Sequence, residues 1–388
     1  MIGNITIKNY KSVQDLELEL GRVTVLIGEN GCGKSNILEA IAMCSAAAAK
    51  KLDQEFLVSR GIRVPDAPRF MHSAFEAQTS GVITISISSR QNDTSTKPVT
   101  YHCDLTNNND TPYSNWYIAK TLPDASSKTY ESLRKMQGSV NNDELFDEFV
   151  RDILLELDRR EREVESLSLN DFLIYSPENS SLRTFETEGQ IQPLGIKGEG
   201  LFKLLTVLSS KDNLERLSEI KKHLALLDWF DDFEVVSNSP LGQRSINIKD
   251  KFLDETLSYF TQKSANEGFL FLLFYFTLFV SKETPSFFAI DNIDASLNPK
   301  LCSQLVKDLV VLSKKHEKQA ILTTHNPAIL DGLDLNDDEQ RLYVVYRNKL
   351  GQTKVKRIQK SEPGEGQSPV RLSEAFLRGY LGGLPRNF

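Results

Sequence analysis

Val23-Thr24-Val25-Leu26-Ile27-Gly28-Glu29-Asn30-Gly31-Cys32-Gly33-Lys34-Ser35 is the stretch that decides the fold. An apolar, β-branched run enters the pattern G-x-x-x-x-G-K-S directly, and a helix-like stretch from Asn36 to Met43 follows. This is the strand, loop and helix setting that the phosphate-binding loop requires. Its glycines let the backbone wrap closely around a triphosphate, so that main-chain N–H groups and a helix N-terminus face the negative charge. Lys34 is the residue that neutralises the outer phosphates and Ser35 the one that ligates Mg2+. Asn30, Gly31, Gly33 and Asn36 complete the candidate nucleotide contacts from this segment.

The rest of the chain fits a large globular protein. Its 388 residues suggest two or three domains, and 40% hydrophobic with 26% charged residues is an ordinary folded composition. A net charge of -7 argues against nonspecific coating of nucleic acid by the whole surface. The four cysteines, Cys32, Cys44, Cys103 and Cys302, form no C-x-x-C pair, which reads as reduced cytoplasmic thiols without a zinc site or disulfide framework. Met1 to Ile5 alternates like a strand and lacks the form of a signal peptide. The longest apolar run, Phe269 to Val280, has 12 residues, short of the roughly 20 a membrane span needs. The expectation is a soluble cytoplasmic protein with no membrane partner.

Periodicity places strands at Ile5–Ile7, Leu16–Leu20 and Val82–Ile87, with Asn9-Tyr10-Lys11-Ser12 as a loop between the first two. A polar stretch runs from Arg90 to Pro98, and Asn107–Asp110 and Gly138–Asn142 read as surface loops. From Asp143 to Leu167 apolar residues recur at three-to-four spacing among dense charges, over too few heptads for a coiled coil, so a packed helical insertion is preferred. Phe172–Tyr175 returns to strand. Leu214–Phe230 reads as helical and ends in a strand-like Phe233–Val236.

A second apolar strand, Ser286 to Ile290, ends in Asp291, the form of a strand whose aspartate holds Mg2+ beside Ser35. After a helical stretch from Pro299 to Lys315, the run Ala320-Ile321-Leu322-Thr323-Thr324 leads to His325. A strand lying beside the Asp291 strand sets this imidazole at the C-terminal edge, where ligands bind in open parallel sheets.

These residues resemble the ATP-binding-cassette class of ATPases, in its SMC, RecF and OLD-like branch. The resemblance implies an α/β fold: an ABC-type P-loop NTPase core with a mixed sheet, flanking helices and a helical insertion. It makes His325 the switch histidine that senses the γ-phosphate, and Asp294-Ala295-Ser296-Leu297 the D-loop. Ser264-Ala265-Asn266-Glu267-Gly268 matches a divergent signature motif, with Ser264, Asn266 and Gly268 as its contacts; an ordinary polar helix cap uses the same residue types. The cofactors implied are ATP and Mg2+. Two such chains are expected to bind head to tail, each signature completing the other's ATP site, as a homodimer or higher oligomer. The organisation expected is an N-terminal half-core over 1–100, a mostly helical insertion with return strands over 101–260, a C-terminal half-core over 261–335, and a hairpin and tail over 336–388.

One departure bears on mechanism. Most relatives carry glutamate directly after the strand-terminal aspartate, and here the residue is Asn292. An amide orients water but does not accept its proton at neutral pH. Slow turnover is therefore expected, with Asp294 or His325 as substitutes for the missing group, or with hydrolysis waiting for a partner. The candidate catalytic set is Lys34, Asp291, Asn292 and His325, and the metal set Ser35 and Asp291.

Arg341–Arg347 and Thr353–Ile358 read as a hairpin closed around Leu350-Gly351, made basic by Lys349, Lys354, Lys356, Arg357 and Lys360. Such charges suit a phosphate backbone or an acidic partner, and equally a solvated sheet edge. The tail from Leu372 either packs on the core or docks a partner. The chain looks like the abortive-infection ATPases that accompany a separately encoded effector, a nuclease or a TOPRIM or RloB-like protein, in antiphage systems. A DNA-repair or chromosome-organising ATPase, with nucleic acid as partner, is the alternative. A membrane-transporter subunit is disfavoured by the missing LSGGQ-like signature.

Overall fold

The computed structural model describes residues 1–74, 81–91, 98–107, 114–119, 162, 165, 167–184, 193–236, 244–254, 256–359 and 370–384. The chain opens with β1 (Ile2–Tyr10), β2 (Val13–Glu19) and β3 (Val23–Ile27), followed by the phosphate loop, α1 (Lys34–Ala48) and α2 (Gln54–Ser59). β4 (Val82–Ser89), β5 (Thr100–Thr106) and β6 (Tyr117–Ile118) come next. The middle of the chain contributes β7 (Ile174–Tyr175), α3 (Asn179–Arg183), α4 (Leu201–Leu208), α5 (Leu214–Leu224), β8 (Phe230–Val236), β9 (Ser245–Asp250) and β10 (Phe260–Thr261). The last part holds α6 (Glu267–Val280), β11 (Phe287–Ile290), α7 (Pro299–Lys315), β12 (Gln319–Thr324), β13 (Gln340–Arg347), β14 (Thr353–Ile358) and α8 (Leu372–Leu377).

Among the described residues a six-stranded sheet in the order β14-β13-β3-β12-β11-β7 forms the centre. All its pairings are parallel except the antiparallel hairpin β13–β14. Parallel strands buried on both faces read as continuous apolar runs. Alternation along them still divides two cores: Val23, Val25 and Ile27 pack with α6 and α7 on one face. Leu26, Ala289 and Ile321 pack with α1 on the other, as a period of two requires. A five-stranded antiparallel sheet, β2-β1-β4-β5-β6, covers the α1 side, and β8 to β10 form a separate small sheet. Gln319 couples the two larger sheets. Its amide accepts from Ile2 N at 2.8 Å and donates to Ile2 O and Gly21 O, both at 2.8 Å.

Helix α6 is apolar all round, and every residue from Phe269 to Val280 is buried, the pattern of a core helix rather than a membrane span. No helix among the described residues is long and apolar enough to cross a membrane. The mixed α/β architecture, the helix at Pro299–Lys315 and the C-terminal hairpin agree with the sequence reading. Several local readings differ. Strand β1 extends to Ile2 and Tyr10, because both of its edges pair, with β2 and with β4. The helix starting at Leu214 stops at Leu224: the buried residues Leu224, Leu227 and Phe230 imitate a helical stripe, but Phe230 already pairs with Asp250 in β8–β9. Asn107, read as surface, is buried, its amide donating to Ser114 O at 2.8 Å. The stretch Asp143–Leu167 lies outside the described residues except for Arg162, Glu165 and Leu167, as do residues 92–97 and 138–142.

Candidate functional site

The carboxyl ends of β3, β11 and β12 converge, because the three strands are adjacent and parallel. β11 releases Asp291 and β12 releases His325 at the same edge of the sheet. β3 feeds the phosphate loop, in which Gly31 and Gly33 adopt left-handed φ values of 76° and 107°. At Gly33 the requirement is steric as well as conformational, since a Cβ would stand 2.1 Å from Thr353 Oγ1.

Lys34 and Ser35 open α1. Lys34 Nζ is buried under the loop, donating to Gly28 O at 2.9 Å and Glu29 O at 3.1 Å and lying 3.3 Å from His325 Nδ1. Burial lowers the Lys34 ammonium pKa, an effect opposed by nearby Asp291 and Asp294. Ser35 Oγ donates to Asp291 Oδ2 at 2.9 Å, and Thr323 Oγ1 donates to Asp291 Oδ1. These oxygens are the hard donors that Mg2+ takes, one or two from protein and the rest from phosphate and water. Among the described residues no cluster of three or more His, Cys, Asp or Glu suits a protein-only metal cage.

His325 follows β12 and is exposed at the rim. Partial burial and the Lys34 charge hold its pKa below the ordinary imidazole value, so it is neutral at pH 7. A neutral ring beside a lysine ammonium can accept or donate one hydrogen bond according to what occupies the site. Asn292 takes a left-handed φ of 56°, a conformation asparagine tolerates better than most residues, and its N–H donates to Thr323 Oγ1 at 2.9 Å. Its side chain is exposed at the same edge. Asp294, two residues on, accepts from Thr324 Oγ1 at 2.6 Å.

The structure therefore brings together Lys34, Ser35, Asp291, Asn292 and His325, with Asn30 and Gly31 exposed on the loop. Among the described residues no hydrogen bond joins Ser264, Asn266 or Gly268 to the phosphate loop. Asn266 is the N-cap of α6, its Oδ1 accepting from Phe269 N at 2.8 Å. Neighbouring Glu267 accepts from Ser296 Oγ at 2.7 Å, which ties this segment to the loop after β11.

Sequence reasoning missed the brace around the phosphate loop. Thr353 Oγ1 donates to Cys32 O at 2.8 Å and lies 2.6 Å from Ser12 Oγ; Ser12 in turn accepts from Asn36 Nδ2 at 2.7 Å. Arg347 Nε donates to Gly31 O at 2.8 Å. The first hairpin and the last hairpin thus hold the loop from two sides. No local pattern announces this, because its members come from opposite ends of the chain. Beneath them, buried Glu39 of α1 binds Lys11, Arg63 and the Tyr10 hydroxyl.

Comparison with known proteins agrees with this geometry. The family described as "AAA domain, putative AbiEii toxin, Type IV TA system" matches residues 23–331. An uncharacterized protein of Methanocaldococcus jannaschii is 39% identical over 67 residues, 16% of this chain and 31% of that protein. An OLD nuclease of Thermus scotoductus is 42% identical over 41 residues, 11% of this chain and 8% of the nuclease. The matched stretches thus span less than a third of either curated relative. In fold, the chain is similar to an SMC head solved with the C-winged helix domain of ScpA, at TM-score 0.56 and 15% identity over 92% of this chain and 97% of that one. A Pyrococcus furiosus SMC head solved with the C-terminal domain of ScpA gives TM-score 0.52 and 15% identity over 92% and 96%. The family match runs over most of the chain and its fold is similar to that of SMC heads, with the loop lysine, strand aspartate and histidine gathered at one sheet edge: this protein belongs to the AAA-domain family described as putative AbiEii toxin, Type IV TA system.

Proposed function

We propose that the chain is an ATP-held switch: it binds ATP with Mg2+, pairs head to tail with a second copy, hydrolyses slowly, and controls a separately encoded effector, a nuclease or TOPRIM or RloB-like protein, in antiphage defence. The observation that carries this reading is the meeting of Lys34, His325, Ser35 and Asp291 beside Asn292, which supplies a binding site without the usual proton acceptor.

Mg2+ bound with ATP supplies charge neutralisation of the outer phosphates. Lys34 exchanges its loop carbonyls for phosphate oxygens, the loop N–H groups cradle the chain of phosphates, and Ser35 and Asp291 hold the metal side. The neutral His325 ring reports the outermost phosphate through its contact with Lys34. Asn292 orients water and leaves its proton in place. Ser264, Asn266 and Gly268 meet the partner copy's phosphate at the α6 N-terminus, whose dipole favours negative charge. That the SMC heads of similar fold were solved with a partner-protein domain supports control through association.

The alternative, a RecF- or SMC-like clamp on DNA, draws on the same fold. The basic hairpin supports it weakly, since Arg357 is paired with Glu19 at 2.8 Å and Lys354 donates to Asp15 O at 3.3 Å.

The test is ATP turnover and oligomeric state of the purified chain beside Lys34→Ala and Asn292→Glu. ATP-driven assembly with little turnover, and a faster Asn292→Glu variant, supports the switch. Brisk wild-type turnover removes its main support, and ATP-dependent DNA binding by the chain alone favours the clamp.

A further inference from the structure

The last two residues of β12, Thr323 and Thr324, are fully buried, and together they hold four successive positions of the loop that follows β11. Thr323 Oγ1 donates to Asp291 Oδ1 and accepts from Asn292 N at 2.9 Å, and Thr323 O accepts from Ile293 N at 3.1 Å. Thr324 Oγ1 donates to Asp294 Oδ1 at 2.6 Å and accepts from Asn326 N at 2.9 Å.

The two hydroxyls work on opposite sides of the sheet. Ile321 belongs to the core on the α1 side and Leu322 to the core on the side of α6 and α7, so a period of two turns Thr323 toward α1 and Thr324 away from it. Helix α1 is the one that begins with Lys34 and Ser35. Thr323 therefore reaches the carboxylate that meets Ser35, whereas Thr324 reaches one with no hydrogen bond to the phosphate loop among the described residues.

The two oxygens of Asp291 are thereby divided. Oδ2 accepts from Ser35 Oγ at 2.9 Å, on the side where the metal donors meet, and Oδ1 is taken by Thr323. The main chain is fixed as well, Asp291 N donating to Tyr175 O at 2.8 Å. What is left to restrain is rotation of the carboxylate about its bond to Cβ, a broad torsion in aspartate. Ser35 is itself one of the oxygens offered to the metal, so Thr323 is the restraint that lies outside the donor set. Partners of this kind, behind the groups that touch a metal, orient them and are typically worth about 10- to 100-fold in its affinity.

We propose that Thr323 is a positioning residue for Mg2+: its hydroxyl holds Asp291 Oδ1 so that Oδ2 is presented beside Ser35, and the same oxygen pins Asn292 in its left-handed turn. The inference rests on the reading of Ser35 and Asp291 as the metal side of the nucleotide site, and it adds a residue that none of the sequence motifs contains. The hydroxyl, not the bulk of the side chain, carries the role.

The test uses Mn2+, which takes the same oxygen ligands as Mg2+ and is followed by its electron paramagnetic resonance signal. It is titrated into the full chain with a non-hydrolysable ATP analogue kept below the protein concentration, so that no turnover is needed. Thr323→Val, which keeps the shape and removes the hydroxyl, is expected to weaken Mn2+ binding about tenfold. Thr323→Ser keeps the hydroxyl and stays within about twofold of wild type, and so does Thr324→Val, an equally buried loss of the same group on the other side of the sheet. Affinity for the analogue in EDTA is unchanged in all three, which separates loss of the metal from loss of the fold; Thr323→Ala repeats the comparison if the valine variant does not fold. Unchanged Mn2+ affinity in Thr323→Val, or an equal loss in Thr324→Val or Thr323→Ser, overturns the proposal. Asp291→Asn separates it from the reading on which it rests. If that change weakens Mn2+ binding and Thr323→Val does not, only the role of Thr323 fails; if neither does, or wild type binds no Mn2+ with the analogue, both fall.

Discussion

At the nucleotide end of the sheet nearly every functional side chain has an internal partner; in the groove along α7 Lys222, Lys300 and Lys307 have none among the described residues. Lys34 touches two carbonyls and a histidine, Asp291 holds two hydroxyls, and Thr353 and Ser12 lock the loop backbone. Lys222, Lys300 and Lys307 stand exposed over leucine. The first arrangement is pre-organised for a small ligand whose geometry is fixed in advance. The second is held ready for no particular ligand, since Asp228, Glu267, Asp308 and Asp331 line the same groove as these cations. Within the nucleotide end Asn292 is the exception, since its exposed side chain makes no hydrogen bond among the described residues and it is held through its backbone.

That exception gives the test with the largest expected effect. Asn292→Glu supplies a proton acceptor and is expected to raise ATP turnover about a hundredfold, within the range of general-base catalysis, measured by phosphate release. A rate that does not change means that another group, Asp294 foremost, already does this work. Next, Lys34→Ala is expected to weaken ATP binding about 10- to 100-fold, the scale of a lost charge-assisted contact, read by calorimetry. Third, Thr353→Val removes the hydroxyl that holds Cys32 O and Ser12 Oγ, for a loss of about 1–3 kcal/mol in chemical denaturation, with Thr353→Ser recovering most of it. If Thr353→Val is neutral, the brace is not a brace.

Two smaller effects bound the comparison from the other side. His325 has a depressed pKa in the folded chain, so the unfolded chain binds its proton first: stability is complete above about pH 6.5 and declines as pH falls below it. His325→Gln should flatten that decline in denaturation curves between pH 5 and 7, an interval set by the usual imidazole pKa of about 6.5. Smallest of all, Lys307→Ala should leave stability within about 0.5 kcal/mol, because an exposed lysine without a partner contributes nothing for the fold to lose.

What could be read in advance follows the range of the interactions. The loop from Gly28 to Ser35 announces itself because strand, glycines, lysine and helix are contiguous. Asp291 and His325 are legible for a related reason: each ends an apolar strand, and parallel neighbours align their ends. Thr353 and Arg347 looked like members of a basic hairpin, yet both reach the phosphate loop from more than 300 residues away, and no periodicity encodes such a pairing. The α5 boundary failed because burial at three-residue spacing is shared by a helix and by a turn entering a strand. The groove along α7 is lined from α5, α7 and the segment before α8, so it emerges only once those elements are assembled.

The position of β3 also has a consequence for how the protein is made. Both of its sheet neighbours, β12 and β13, lie far downstream of β3 in the chain. A nascent chain therefore carries the apolar run Val23–Ile27 with both edges unpaired until β12 and β13 have been made. The contact from Thr353 Oγ1 to Cys32 O, which braces the phosphate loop, is therefore among the last to form along the chain.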